Sequence, residues 1–207
     1  ITMSQLEQII KQRKSVRSYD PQFQIDKREI LELLSIATNA PSSSNLQPWR
    51  FIVIQNKELQ KEIRTLGFNQ AQIEESSAIV AVIGDSEAYK NVEKIYSLNV
   101  EKGYMDQSIA DRTIKQTLNA YPTMPKEGLK EIAAYDAGAI AMQFMLLAKD
   151  RGYDTITMGG FDKDAFAKRF DLPDNLFPIT LIAIGKALAP AFNTSRLPIE
   201  SLTTYFD

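Results

Sequence analysis

No cysteine and no histidine occur among the 207 residues. Zinc sites of thiolate or imidazole, haem held by His or Cys, and thiolate-ligated iron–sulfur clusters are therefore excluded. So is every catalytic triad or dyad that takes His as base or Cys as nucleophile. An enzyme built from this chain must leave the difficult chemistry to something it binds. An excess of one charge is lacking too: 24 basic and 26 acidic residues leave a net charge of −2, which offers no global field for nucleic acid. There is no Gly-x-Gly-x-x-Gly, no Gly-x-x-x-x-Gly-Lys-Ser/Thr and no Asp-rich calcium loop, so neither a standard dinucleotide fold nor a P-loop is indicated. The longest apolar stretch, Ala137 to Ala148, is interrupted by Gln143 and is too short to span a bilayer. Lys11, Arg13, Lys14 and Arg17 arrive before any apolar run, unlike a secretory leader. A soluble protein of the reducing cytoplasm, without membrane or nucleic-acid partners, is the expectation.

What is present is an ordinary globular composition, 44% hydrophobic and 24% charged, with enough chain for a real core. Ser4 and Glu7 form a capping box, and Leu6, Ile9, Ile10 and Arg13 then fall on one helical face. Arg13 ends an apolar stripe, where a cation is costly unless paired or free to reach water. Ser15, Arg17 and Tyr19 alternate with Val16 and Ser18 as in an extended segment. Arg13, Ser15 and Arg17 can thus converge on one anion, a phosphate or a carboxylate. Asp26 and Glu29 suggest a second capping box, opening a helix that buries Ile30, Leu33, Leu34 and Ala37 and stops before Pro41.

Residues 39–48 are Ser, Asn and Pro rich and run into a strand, Trp49–Ile54. Such a run is most often a plain solvated loop, but at a strand mouth it also suits a polar ligand. A helix over 56–66 closes at Gly67. A short helical piece follows from Phe68, in which Asn69 and Gln72, three apart, can point the same way. Glu74 and Glu75 read as exposed helical surface. Residues 78–83 are a buried strand, and 87–120 are helical but irregular, broken by Tyr121-Pro-Thr-Met-Pro125. The longest helix, 129–151, is small-residue-rich and apolar on most sides, suited to the core or to a subunit interface. A strand Thr155–Met158, the pair Gly159-Gly160, a helix capped by Asp162, and a strand 179–184 follow. Residues 187–207 form a Pro-punctuated tail carrying Arg196, of the kind that wraps a partner.

These segments, in this order, resemble the FMN-dependent nitroreductases. Arg13-Lys-Ser-Val-Arg17-Ser-Tyr-Asp20 is similar to that family's opening motif, and Ala40-Pro-Ser-Ser-Ser-Asn45-Leu-Gln47-Pro-Trp49 to its second. Phe68-Asn69, Gly159-Gly160-Phe161-Asp162 and Ser195-Arg196-Leu-Pro198 follow in matching order. The resemblance implies one FMN-binding domain over residues 1–207, of the α+β class: a mixed, mainly antiparallel sheet flanked by helices, in an intertwined homodimer with exchanged C-terminal tails. It implies a ping-pong oxidoreductase taking electrons from NADH or NADPH and passing them through FMN to nitroaromatic or quinone-type acceptors. A flavin-storage protein, or a family member with another flavin reaction such as a dehydrogenase or dehalogenase, is the alternative. By the same resemblance, Arg13, Lys14, Ser15 and Arg17 line the flavin from one subunit, with Arg17 tuning the reduced ring. Pro41, Ser42, Ser43, Asn45 and Gln47 approach from the other. Asn69 and Gln72 reach the ring or ribityl chain, Met158, Gly159 and Gly160 lie under its N5 edge, and Arg196 meets the phosphate. Lys14, Gln72, Thr194 and Gly159 depart from common family choices, leaving fewer cations near the phosphate and one fewer carboxylate near N5.

Overall fold

The computed structural model describes residues 2–207. Its centre is a four-stranded sheet of β1 (Trp49–Ile54), β2 (Ala78–Asp85), β3 (Asp154–Met158) and β4 (Leu176–Gly185), ordered β1-β2-β4-β3. Every strand pair is antiparallel. The expected parallel component is reduced to one bridge, Ser15 with Thr155. β2 is buried along its whole length, which explains its unbroken apolar reading; a central strand covered on both faces has no polar side to alternate with. β4 begins earlier than expected because Pro178 is accommodated. The register slips between Val82 and Ile83, where Pro178 stands opposite Ile83, and a bulge is where a residue without an N–H can join a ladder.

Alternate residues of the central strands serve two cores. Val80, Val82, Ile182 and Ile184 face α2 (Lys27–Ala37) and α7 (Lys126–Asp150), meeting Leu33, Ile140 and Phe144. Ile79, Ala81, Leu181 and Ala183 face the other way, toward α3 (Lys57–Leu66), α4 (Ala71–Glu75) and α8 (Lys163–Arg169), where Ile63, Ile73 and Phe166 are fully buried. The irregular region resolves into α5 (Val92–Glu101) and α6 (Gln107–Ala120), a hairpin turned at Gly103, whose φ is +73°. It has its own small core of Val92, Tyr96 and Ala110 around Leu46.

Several local expectations change. Asp26 caps α2 through the Arg28 N–H, but Glu29 does not reach back; it pairs with Arg151 at 3.2 Å. Phe68 and Asn69 adopt φ of +54° and +59°, so α4 starts only at Ala71, and Asn69 is exposed while Gln72 is buried. The two do not share a face. Glu74 is half-buried, bonded to Arg64 at 3.0 Å, rather than simple surface. α7 meets the length and composition of a membrane span, yet it packs its apolar face into the core. Its other side is open, with Tyr135, Gly138 and Met142 exposed at helical spacing, so burial on most sides is not what this chain alone provides. The same holds for α1 (Gln5–Gln12), which has no buried residue: Leu6 and Ile10 of its apolar stripe face outward.

Candidate active site

α1 ends at Arg13, whose backbone is already extended. The chain then runs beside β3: Ser15 bridges Thr155, and the Val16 N–H donates to the Thr155 carbonyl at 3.1 Å. Val16 is buried, so the alternation of extended backbone puts Ser15 and Arg17 on the outer side. After β4 the chain turns back along this segment. Asp20 donates to the Lys186 carbonyl and Leu188 to that of Ser18, each at 2.9 Å. Lys14 Nζ then bonds Asn193 Oδ1 at 2.6 Å, which brings the tail over Arg13.

The result is an open cleft of about 530 Å³. Lys11, Arg13, Lys14, Ser15 and Arg17 line one side, Phe192, Thr194 and Arg196 of the tail another, and Met142 of α7 contributes an apolar patch. Five cations line the cleft, and no carboxylate does. None of the five is ion-paired among the described residues; Arg196 bonds only Thr194 Oγ1 and the Ser195 carbonyl, each at 2.8 Å. A cluster of like charges left without counter-ions is electrostatically unfavourable, so the arrangement suits an anionic ligand. Lys11 and Phe192 belong to this lining and carried no motif in the sequence.

The Pro41–Gln47 loop is elsewhere: none of Pro41, Ser42, Ser43, Asn45 or Gln47 lines the cationic cleft. Pro41, Ser43 and Asn45 are exposed. Ser44, Asn45 and Gln47 take φ of +51°, +54° and +52°, each costing on the order of 1–2 kcal/mol for a residue with a Cβ. That geometry survives because the surroundings pin it. The Ser43 N–H donates to Asp136 Oδ2 at 3.0 Å and the Gln47 N–H to Ser42 Oγ at 3.1 Å. Tyr96 Oη donates to the Ser44 carbonyl at 3.0 Å, and the Ser44 and Tyr121 hydroxyls lie 3.1 Å apart. The Gln47 amide is spent on the Asn45 carbonyl. Asp136 is buried, and burial raises its pKa above the usual carboxylate range, the Ser43 bonds opposing the shift. Asp136 carried no motif in the sequence, its only mark there being that it is the single acid amid Ala133–Met145.

The third group surrounds the end of β3. Gly159 and Gly160 are exposed, and a Cβ on Gly159 would meet nothing within 4 Å. Arg64 Nε donates to Asn69 Oδ1 at 2.8 Å. Gln72 is buried and donates to Gln70 Oε1, and Gln70 donates in turn to the Gly160 carbonyl at 3.0 Å. The Met158 side chain is part of the core. Because Ser15–Arg17 runs parallel to β3, the outer edge leads from the cationic cleft toward this glycine pair, about 13 Å from Thr155 to Gly159 at the rise of a strand. An elongated ligand with a phosphate at one end and a flat ring at the other fits such a strip: cations at one end, side-chain-free backbone at the other.

Residues 10–186 match the nitroreductase family. The chain belongs to that family. As a nitroreductase-family protein it is an oxidoreductase. It is similar to YodC of Bacillus subtilis, a candidate NAD(P)H nitroreductase, with 41% identity covering 95% of this chain and 96% of that protein. Its fold is similar to that of a candidate nitroreductase of Exiguobacterium sibiricum solved in complex with FMN. The TM-score there is 0.93 at 40% identity, covering 100% of this chain and 99% of the other. A candidate NAD(P)H:FMN oxidoreductase of Staphylococcus epidermidis is equally close in shape, with a TM-score of 0.94 at 36% identity, covering 100% and 98%.

Proposed function

We propose that this nitroreductase-family chain is one FMN-binding domain that works as a cytoplasmic homodimer, passing electrons from NADH or NADPH to nitroaromatic or quinone-type acceptors in two separate half-reactions. The observation that carries the reading is the cleft of five unpaired cations, set at the start of an edge that ends in bare glycine backbone. FMN, when bound, would supply the redox chemistry as the hydride carrier between donor and acceptor.

The protein's share is binding, orientation and electrostatics. Arg13 and Arg196 hold the phosphate with charge-assisted bonds, and Lys14 and Ser15 continue the contact along the chain. Arg17 places a positive charge beside the N1 side of the ring, which favours the reduced cofactor. Asn69, with its carbonyl oxygen taken by Arg64, presents its NH2 group as a donor. Gln72 and Met158 support this end from behind. The second copy brings its Pro41–Gln47 loop over the same flavin, since the loop lies away from the cleft of its own chain. The test is a visible spectrum of the purified protein, taken before and after anaerobic addition of NADH or NADPH and then of a nitroaromatic or a quinone. Flavin bands that bleach with nucleotide and return with acceptor are expected. A protein that takes up no FMN would refute the site, and bound flavin that never bleaches would refute the donor.

A further inference from the structure

Glycine pairs are conformationally permissive, so a Gly-Gly peptide at a cofactor edge can turn over unless something holds it. Here both carbonyls are held. Lys163 Nζ donates to the Gly159 carbonyl at 2.7 Å, and Gln70 Nε2 donates to that of Gly160 at 3.0 Å. The peptide between the two glycines is trans, so its N–H points opposite to the Gly159 carbonyl and away from Lys163. That Gly160 N–H donates to no group among the described residues. Lys163 itself is exposed and rests over the Phe161 ring, 4.8 Å from its centroid, with no carboxylate bonded to it among the described residues.

We propose that Lys163 is a positioning residue that locks the Gly159–Gly160 peptide with its N–H outward, as a fixed donor to N5 of the flavin. The proposal rests on the FMN reading above. Oxidised flavin carries a lone pair at N5 and gains from an N–H donor. Reduced flavin carries N5–H and is better served by a carbonyl. A locked N–H therefore favours the oxidised form and lowers the potential, whereas a peptide free to turn lets the Gly159 carbonyl face N5–H and raises it. A plain charge effect has the opposite sign, because a nearby cation favours the anionic reduced flavin and its removal lowers the potential.

The experiment measures the reduction potential of bound FMN, and its dissociation constant, in the wild type, Lys163→Met and Lys163→Arg. Because Lys163 is exposed, the variants keep the fold. Lys163→Met is expected to raise the two-electron potential by about 30 mV, a tenfold change in the ratio of reduced to oxidised flavin affinity. Lys163→Arg, which keeps a donor at that carbonyl, is expected to restore the wild-type value. An unchanged or lowered potential in Lys163→Met, or a Lys163→Arg that fails to restore it, overturns the lock and leaves the flavin site standing. A wild type that binds no FMN overturns the site reading and the lock together.

Discussion

An arginine beside another arginine repels it, and neither gains from being held in place unless something negative lies between them. Arg13 and Arg196 come from opposite ends of the chain and line one cleft without a carboxylate to share. The ionic bonds elsewhere in the molecule make the contrast: Arg50 pairs with Asp85 at 2.9 Å, and Arg151 with Glu29 and Glu32. Those arginines are held by carboxylates, and Arg13 and Arg196 are not. Each charge-assisted bond to a phosphate is worth about 1.5–3 kcal/mol, or about 10- to 100-fold in affinity. Arg13→Gln and Arg196→Gln are each expected to weaken FMN binding by about that factor while leaving riboflavin, which has no phosphate, almost unaffected. Fluorescence titration of the flavin-free protein with both ligands checks this. Equal loss for both ligands would mean the arginines touch the ring or hold the tail.

At the scale of elements, the Pro41–Gln47 loop shows what a sequence can and cannot disclose. Its composition and its place before β1 were legible, and so was its resemblance to a flavin-contacting motif. Its conformation was not. Three positive-φ residues without a glycine among them are imposed by partners far along the chain, Asp136 on α7 and Tyr96 and Tyr121 of the hairpin region. Helices such as α2 and α3 were read nearly to their ends because their period reports one buried face, and β2 because an unbroken apolar run reports a strand covered on both. The hairpin α5–α6 was blurred, since it buries few residues against a small core of its own. The cluster of Arg13, Lys14, Ser15 and Arg17 was local in sequence and therefore readable, whereas the hold of Gln70 on the Gly160 carbonyl, from far along the chain, depends on tertiary placement alone.

Asp136 makes that dependence measurable. Burial raises its pKa in the folded protein, so the native state binds its proton more tightly than the unfolded chain does. Its contribution is greatest below the unfolded pKa of about 4 and is lost as pH rises through the raised native value. Asp136→Asn keeps an acceptor for the Ser43 N–H without the charge. Its stability relative to wild type is expected to increase as pH rises through that window and to stay level above it. Asp136→Ala leaves the Ser43 N–H without its acceptor, at a cost of about 1–3 kcal/mol. Urea unfolding at a series of pH values separates the cases, and parallel curves for wild type and Asp136→Asn would show that the carboxylate does not carry the pH dependence.

At the scale of the whole molecule, three elements among the described residues turn apolar surface outward that a core of their own would have covered. α1 turns Leu6 and Ile10 outward, α7 shows Tyr135, Gly138 and Met142 along one line, and the tail ends in Leu202, Tyr205 and Phe206, with Phe206 91% exposed. Patches on this scale mark association surfaces in soluble proteins, and a second copy supplies the right chemistry for all three. The proposed dimer also resolves the split site, because the Pro41–Gln47 loop does not line its own chain's cleft. Gly138 offers a clean test. A Cβ there meets nothing within 4 Å in the chain, and replacing a helical glycine raises helix propensity by about 0.5–1 kcal/mol, so Gly138→Arg should leave the protomer folded or slightly more stable. Across a two-fold interface the same change sets a guanidinium into an apolar seam, where an unpaired charge is strongly disfavoured. Light scattering is then expected to show a dimer for wild type and a monomer for Gly138→Arg, with FMN lost alongside the second copy's loop. A variant that stays dimeric would move the interface off α7, and a monomer that keeps its flavin would show that one chain completes the site.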